Sequence, residues 1–160
     1  MLCGAEREGF GGAQVRILVS ACLLGTPCRY DGKSKQHPLA EELCRRHQVV
    51  PVCGEVMGGL ATPRVPAERQ GETAVITKTG GDVTENYWRG AREVLRLGQL
   101  MGCQVAILKE RSPSCGSGEI YDGTFSRTLI DGWGVTAQVL RENGFRVLGE
   151  SDIPAFLEEK

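Results

Sequence analysis

Short apolar runs alternate with amphipathic stretches along most of this chain, and that alternation leaves few folds open to it. Val15-Arg16-Ile17-Leu18-Val19-Ser20, Val49-Val50-Pro51-Val52, Val105-Ala106-Ile107-Leu108 and Arg146-Val147-Leu148 have the length and β-branched content of buried strands. The stretches 39–47, 85–101, 134–143 and 153–159 carry apolar residues at helical spacing, and Gly102 and Gly144 follow two of them as stop signals. Strand and helix in strict succession predict an α/β fold: a single domain, Rossmann-like, with a mainly parallel sheet covered by helices on both faces. A small hairpin is expected from Thr73 to Lys78 pairing with Val83 around Gly80-Gly81, with Thr84 as a helix N-cap. Asp122-Gly123, between Ile120-Tyr121 and Thr124-Phe125, gives a second two-residue turn signal. Gly54 to Pro66 reads as irregular. The glycine-rich residues 1–14 read as a flexible extension, leaving 15–160 as one domain.

Three of the seven cysteines lie just beyond or at the ends of three of the apolar runs: Cys22, Cys53 and Cys115. Sites in parallel α/β sheets form outside the carboxyl ends of the strands, so the three thiols are expected on one rim. Three thiolates arriving from three loops suggest a metal centre. With only two histidines, His37 and His47, and no HExxH or CxxC pattern, imidazole-ligated zinc and thioredoxin-type redox chemistry both lack their usual signatures. Soft sulfur donors without imidazole favour an iron-sulfur cluster, and one held by three cysteines leaves an iron open to substrate.

The balance of charges excludes less than it guides. A formal net charge of -1 and a pI near 6.2 provide no broad attraction to nucleic acid or anionic membranes. No apolar stretch approaches the ~20 residues of a membrane span, and the expected setting is the cytoplasm, where clustered thiols point to ligation or catalysis more than to disulfides.

Each thiol stands in a motif with further chemistry. Around Cys22 the chain reads Ser20-Ala21-Cys22-Leu23-Leu24-Gly25-Thr26-Pro27-Cys28-Arg29-Tyr30-Asp31-Gly32, where Cys28 is open to three roles: fourth ligand, disulfide partner or packed thiol. Glu55 follows Cys53 by two residues and is placed to hold a water or move a proton beside a metal; Arg64, between Pro63 and Pro66, is a stiffly held donor or a surface cation. The loop Ser112-Pro113-Ser114-Cys115-Gly116-Ser117-Gly118 brings hydroxyls and glycines to a thiol, and is expected to form a nest of backbone donors for developing negative charge. Cys44 and Cys103 read as core or partly buried thiols, and Cys3 as a free one.

In these three motifs, Ser20 to Gly32, Val52 to Glu68 and Ser112 to Gly123, the chain resembles the small bacterial family of 2-thiouracil desulfurases, over about residues 15–150. The resemblance implies a single α/β domain with a [4Fe-4S] cluster on Cys22, Cys53 and Cys115, and Glu55 and Ser112 as the catalytic pair. It implies a small thiolated pyrimidine as substrate, converted from 2-thiouracil to uracil and sulfide without net redox change, the open iron taking the substrate sulfur. No membrane partner and no stable nucleic-acid complex are expected. One departure stands out: the family's second motif commonly reads Val-Cys-Pro-Glu, and Gly54 here is expected to loosen the backbone beside a ligand. Two rival readings follow from the same residues. Cys28 as fourth ligand would close the site into a binding or sensing module, and the same chemistry could act on thiouridine, free or within RNA.

Overall fold

In the computed structural model, which describes residues 13–159, the chain runs β1 (Arg16–Ser20), a 3-10 turn (Ala21–Leu24), α1 (Ala40–Arg46), β2 (Gln48–Val52), α2 (Gly54–Met57), β3 (Ala67–Gln70) and β4 (Ala74–Thr77). It continues through α3 (Thr84–Leu100), β5 (Val105–Leu108), β6 (Ser117–Tyr121), β7 (Leu129–Trp133), α4 (Val135–Glu142), β8 (Arg146–Gly149) and α5 (Ile153–Glu158). The expected terminal extension falls almost wholly on residues 1–12, outside the described residues, as does Cys3.

The four predicted runs form one parallel sheet in the order β2-β1-β5-β8. β1 lies inside the sheet and is buried from Ile17 to Ser20. Its alternating side chains divide the core: Ile17 and Val19 pack with Leu43 of α1 and Ile153 and Phe156 of α5, while Leu18 packs with Val94 of α3 and Leu140 of α4. Burial on both faces explains why β1 and β5 read as continuous apolar runs, with no polar alternation. Pro51 lies in β2, at the sheet's edge, where a strand tolerates a residue without an N–H.

The expectation for Gly54 to Pro66 is corrected at its start, because Gly54–Met57 forms a helical turn, α2. Its backbone sits directly on α3: a side chain at Gly90 would collide with the Gly54 carbonyl, and one at Gly58 with the Asn86 carbonyl. The buried stripe of α3 is Tyr87, Gly90, Ala91, Val94 and Gly98, two of its members being glycines that let a neighbour approach. Met101, which ends the predicted helical stretch 85–101, is exposed.

Both hairpins differ from the sequence reading. β4 pairs along its length with β3, and only an isolated bridge joins Ile76 to Asp82. Thr84 is the first residue of α3, and its hydroxyl accepts the Val75 N–H at 2.9 Å instead of capping the helix. β6 pairs with β7 across the loop 122–128, not across a two-residue turn. Asp122 there folds back on its own chain, accepting the Thr124 N–H at 2.9 Å.

Candidate active site

Cys22 lies in the 3-10 turn after β1, Cys53 directly after β2, and Cys115 in the loop after β5. The three loops open on one side of the sheet and line one cavity of about 460 Å³. β1 and β5 are adjacent, and the chain leaves β1 toward β2 on the other side, so the cavity sits where the strand order reverses. All three thiols are free; Cys22 and Cys115 are buried and Cys53 is half-buried.

Cys28 joins them. It lines the same cavity, is buried, and its thiol lies beside those of Cys22 and Cys53. The neighbouring Cys28 thiol and burial push Cys53 far above the usual thiol range. Burial pushes Cys115 up to about 12, opposed by a hydrogen bond from Ser20. The buried Ser20 hydroxyl donates to Cys115 Sγ at 3.4 Å while accepting the Lys109 N–H at 2.9 Å. Among the described residues, no three Cys, His, Asp or Glu side chains close on a point that would suit a single ion. Cys22, Cys28, Cys53 and Cys115 all line the cavity.

Glu55 stands in the first turn of α2 and faces the same space. Arg64 grips one of its oxygens, with Nε 2.7 Å and Nη2 2.5 Å from Oε2. The other oxygen, Oε1, faces the Ser112 hydroxyl at 3.5 Å. Ser112 Oγ already accepts the N–H groups of Ser114 at 3.1 Å and Cys115 at 3.2 Å, which uses its two lone pairs and leaves its proton for Glu55 or a ligand. The expected nest of free backbone donors is thereby corrected, since the amides that would build it are taken by Ser112. Gly54 is likewise no loose joint: it is buried, and a Cβ there would lie 2.5 Å from Thr136 Oγ1 and 2.7 Å from Ser114 Oγ.

The wall opposite the thiols comes from the hairpins. Ala67, Glu68, Lys78, Tyr121, Phe125 and Arg127 line it. Glu68 Oε1 accepts the N–H groups of Gly123 at 3.0 Å and Phe125 at 3.1 Å, fixing the loop 122–128 against the cavity. Phe125 and Arg127 in that loop, and Arg111 below it, hold positive φ angles of 57°, 59° and 65°. Non-glycine residues pay roughly 1–3 kcal/mol for such geometry, which these contacts must offset.

The structure therefore brings Cys22, Cys53, Cys115, Glu55 and Ser112 together, with Cys28 and Arg64. Tyr87 and Ser20 join them without having been singled out. Tyr87 is 2% exposed, lines the cavity, and its hydroxyl faces Glu55; burial, with the Glu55 charge, pushes its pKa far up, so it stays protonated. Its hydroxyl on an otherwise small and apolar helical stripe was the available signal. Cys44 is exposed, against expectation, and Cys103 is buried.

Fold and site together define a class: a parallel α/β domain whose cavity, at the strand-order switch, is walled by free thiols and one carboxylate–hydroxyl pair. The family model for 2-thiouracil desulfurase matches residues 17–152. The chain is 43% identical over 146 residues to the uncharacterized protein YbbK of Bacillus subtilis (strain 168), covering 86% of this chain and 97% of that protein. It is similar in structure to the [4Fe-4S]-dependent thiouracil desulfidase TudS, with a TM-score of 0.84 and 47% identity over 89% of this chain and 95% of that one. The chain belongs to the 2-thiouracil desulfurase family.

Proposed function

We propose that this protein is a [4Fe-4S]-dependent desulfurase that exchanges the sulfur of a thiolated pyrimidine for oxygen, releasing uracil from 2-thiouracil. The observation that carries the reading is the meeting of Cys22, Cys53 and Cys115 with the Glu55–Ser112 pair in one cavity. The donor set fits the cluster: three thiols outside any disulfide, two buried and one half-buried, line one cavity with no imidazole among its lining residues, and soft sulfur donors of that kind suit iron-sulfur ligation. Cys22, Cys53 and Cys115 would hold it, and its iron lacking a protein ligand supplies Lewis acidity toward a thiocarbonyl.

The chain's own residues supply the rest. Glu55 Oε1 takes the proton of the incoming water, because Oε2 is engaged by Arg64. Ser112, its lone pairs occupied, offers a proton toward the same spot and holds the water in line. Tyr87, buried with its hydroxyl facing Glu55, offers that carboxylate a second hydroxyl proton. Walls from Phe125 and Tyr121 suit the faces of a flat ring. Six cysteines outside any disulfide among the described residues suit a reducing setting, the cytoplasm; no described helix is long and apolar enough to cross a membrane.

A thionucleoside carrying a phosphate is the second reading. Lys78, Arg111 and Arg127 line the cavity, are exposed, and stand outside any ion pair among the described residues. Anaerobic reconstitution with iron and sulfide, iron counting, and parallel assays of 2-thiouracil, 2-thiouridine and its 5′-monophosphate test both readings. Close to four irons per chain with release of sulfide supports the desulfurase, and the substrate with the highest kcat/KM identifies its class. Zinc uptake with no iron removes the proposal; a four-cysteine cluster without turnover returns the closed-site alternative.

A further inference from the structure

We infer that Arg64 is a positioning residue of this site, one that fixes the Glu55 carboxylate so that a single oxygen does the work, and that ties it to the thiol-bearing loop. The inference rests on Glu55 being the proton-transfer group.

The guanidinium is almost fully engaged. Nε and Nη2 both reach Glu55 Oε2, at 2.7 and 2.5 Å. Nη2 also donates to the Cys28 carbonyl at 2.9 Å, and Nη1 donates to the Ala61 carbonyl at 3.2 Å and Thr62 Oγ1 at 3.0 Å. The Arg64 N–H donates to the Tyr30 carbonyl at 2.8 Å, so main chain and side chain together bind the loop that holds Cys28. With 9% of its side chain exposed, Arg64 is not a solvent-facing cation. A carboxylate at the start of a four-residue helical turn would otherwise rotate freely about its own side chain; the clamp leaves Oε1 alone toward Ser112, and the Tyr87 hydroxyl closes the remaining side.

A planar fork with five donors can serve Glu55, a carbonyl of the Cys22–Cys28 loop and the turn 61–62 at once, and a lysine ammonium cannot. Displacement of a catalytic group by ~1 Å costs about 100-fold in rate.

The test uses the iron-loaded enzyme. Arg64→Ala should keep its iron and its KM within about threefold while kcat falls about 100-fold, and added guanidinium should restore at least a tenth of the lost kcat. Arg64→Lys should recover less than guanidinium does. Glu55→Ala should gain nothing from guanidinium. A crystal structure of Arg64→Ala should show the Glu55 carboxylate turned away from Ser112. An unaltered kcat, or a Glu55 carboxylate still in place beside Ser112, would overturn the inference. If Arg64→Ala does not fold, the same comparison is made on Arg64→Lys, whose Glu55 must lose its contact with Ser112. Wild-type enzyme that carries iron but converts no thiopyrimidine, with Glu55 displaced in the variant, would remove the proposed function and leave the positioning role standing.

Discussion

The two walls of the cavity are made in different ways. The thiol wall grows from the ends of β1, β2 and β5: Ile17 to Ser20 of β1 and Ala106 to Leu108 of β5 are buried, and the edge strand β2 is buried at Val52, next to Cys53. The facing wall hangs from two antiparallel hairpins, β3–β4 and β6–β7, which bury Val75 and Ile120 but place their cavity side under polar ties: Glu68 to the loop 122–128, and the buried Arg69 to the Trp133 carbonyl at 2.6 Å and across the Trp88 ring. Core-anchored positions are set by packing, which resists small displacements; hydrogen-bonded loops can be rebuilt residue by residue. Chemistry on the first and recognition on the second would let substrate choice change while the reaction stays.

The largest effects should break the first wall. Cys22→Ala, Cys53→Ala or Cys115→Ala should each abolish iron retention and turnover together, read by iron analysis and sulfide release. Glu55→Ala and Ser112→Ala should retain the iron and lose activity by roughly 10²- to 10⁴-fold, which separates ligands from acid–base groups on one surface. Gly90→Ala drives a Cβ into the Gly54 carbonyl and should lower stability by about 1–3 kcal/mol, seen in urea unfolding, with α2 and its Glu55 displaced.

On the second wall, Glu68→Ala should free the loop 122–128, raising KM several-fold with iron content unchanged. Loss of iron in that variant would erase the contrast between the walls. The smallest effect lies far from both. His47 accepts the Val15 N–H through Nδ1 at 3.3 Å, and burial, aided by the Arg46 charge, lowers its pKa from 6.5. A base depressed in the folded state gives stability that is present above pH 6.5 and lost as pH falls through the folded value. Wild type should therefore lose stability between pH 7 and 5 relative to His47→Gln, measured by chemical denaturation.

The parallel sheet was legible because β1 and β5 are buried on both faces and read as unbroken apolar runs. The thiol convergence followed from it by a rule about strand ends. The hairpins were not legible, for local reasons. β7 reads Leu129-Ile130-Asp131-Gly132-Trp133, and its Asp-Gly pair disguises a strand whose glycine lies against Ile120. β3 carries Glu68 and Arg69, charges that serve distant backbone groups and so suggest a surface loop. Ser112 illustrates the limit of motif reading: its position was clear, yet which amides it occupies is a matter of three-dimensional geometry.

One consequence concerns the protein's synthesis. Cys22, Cys53 and Cys115, the proposed ligands, lie far apart along the chain, and Ser20, which meets Cys115 through its hydroxyl, is separated from it by 95 residues. A nascent polypeptide emerging from the ribosome thus offers iron no ready chelate until β5 and the segment after it have been translated and docked beside β1. On the proposed ligand set, cofactor loading would wait until Cys115 is in place, and a chain truncated before it should fail to retain the cluster.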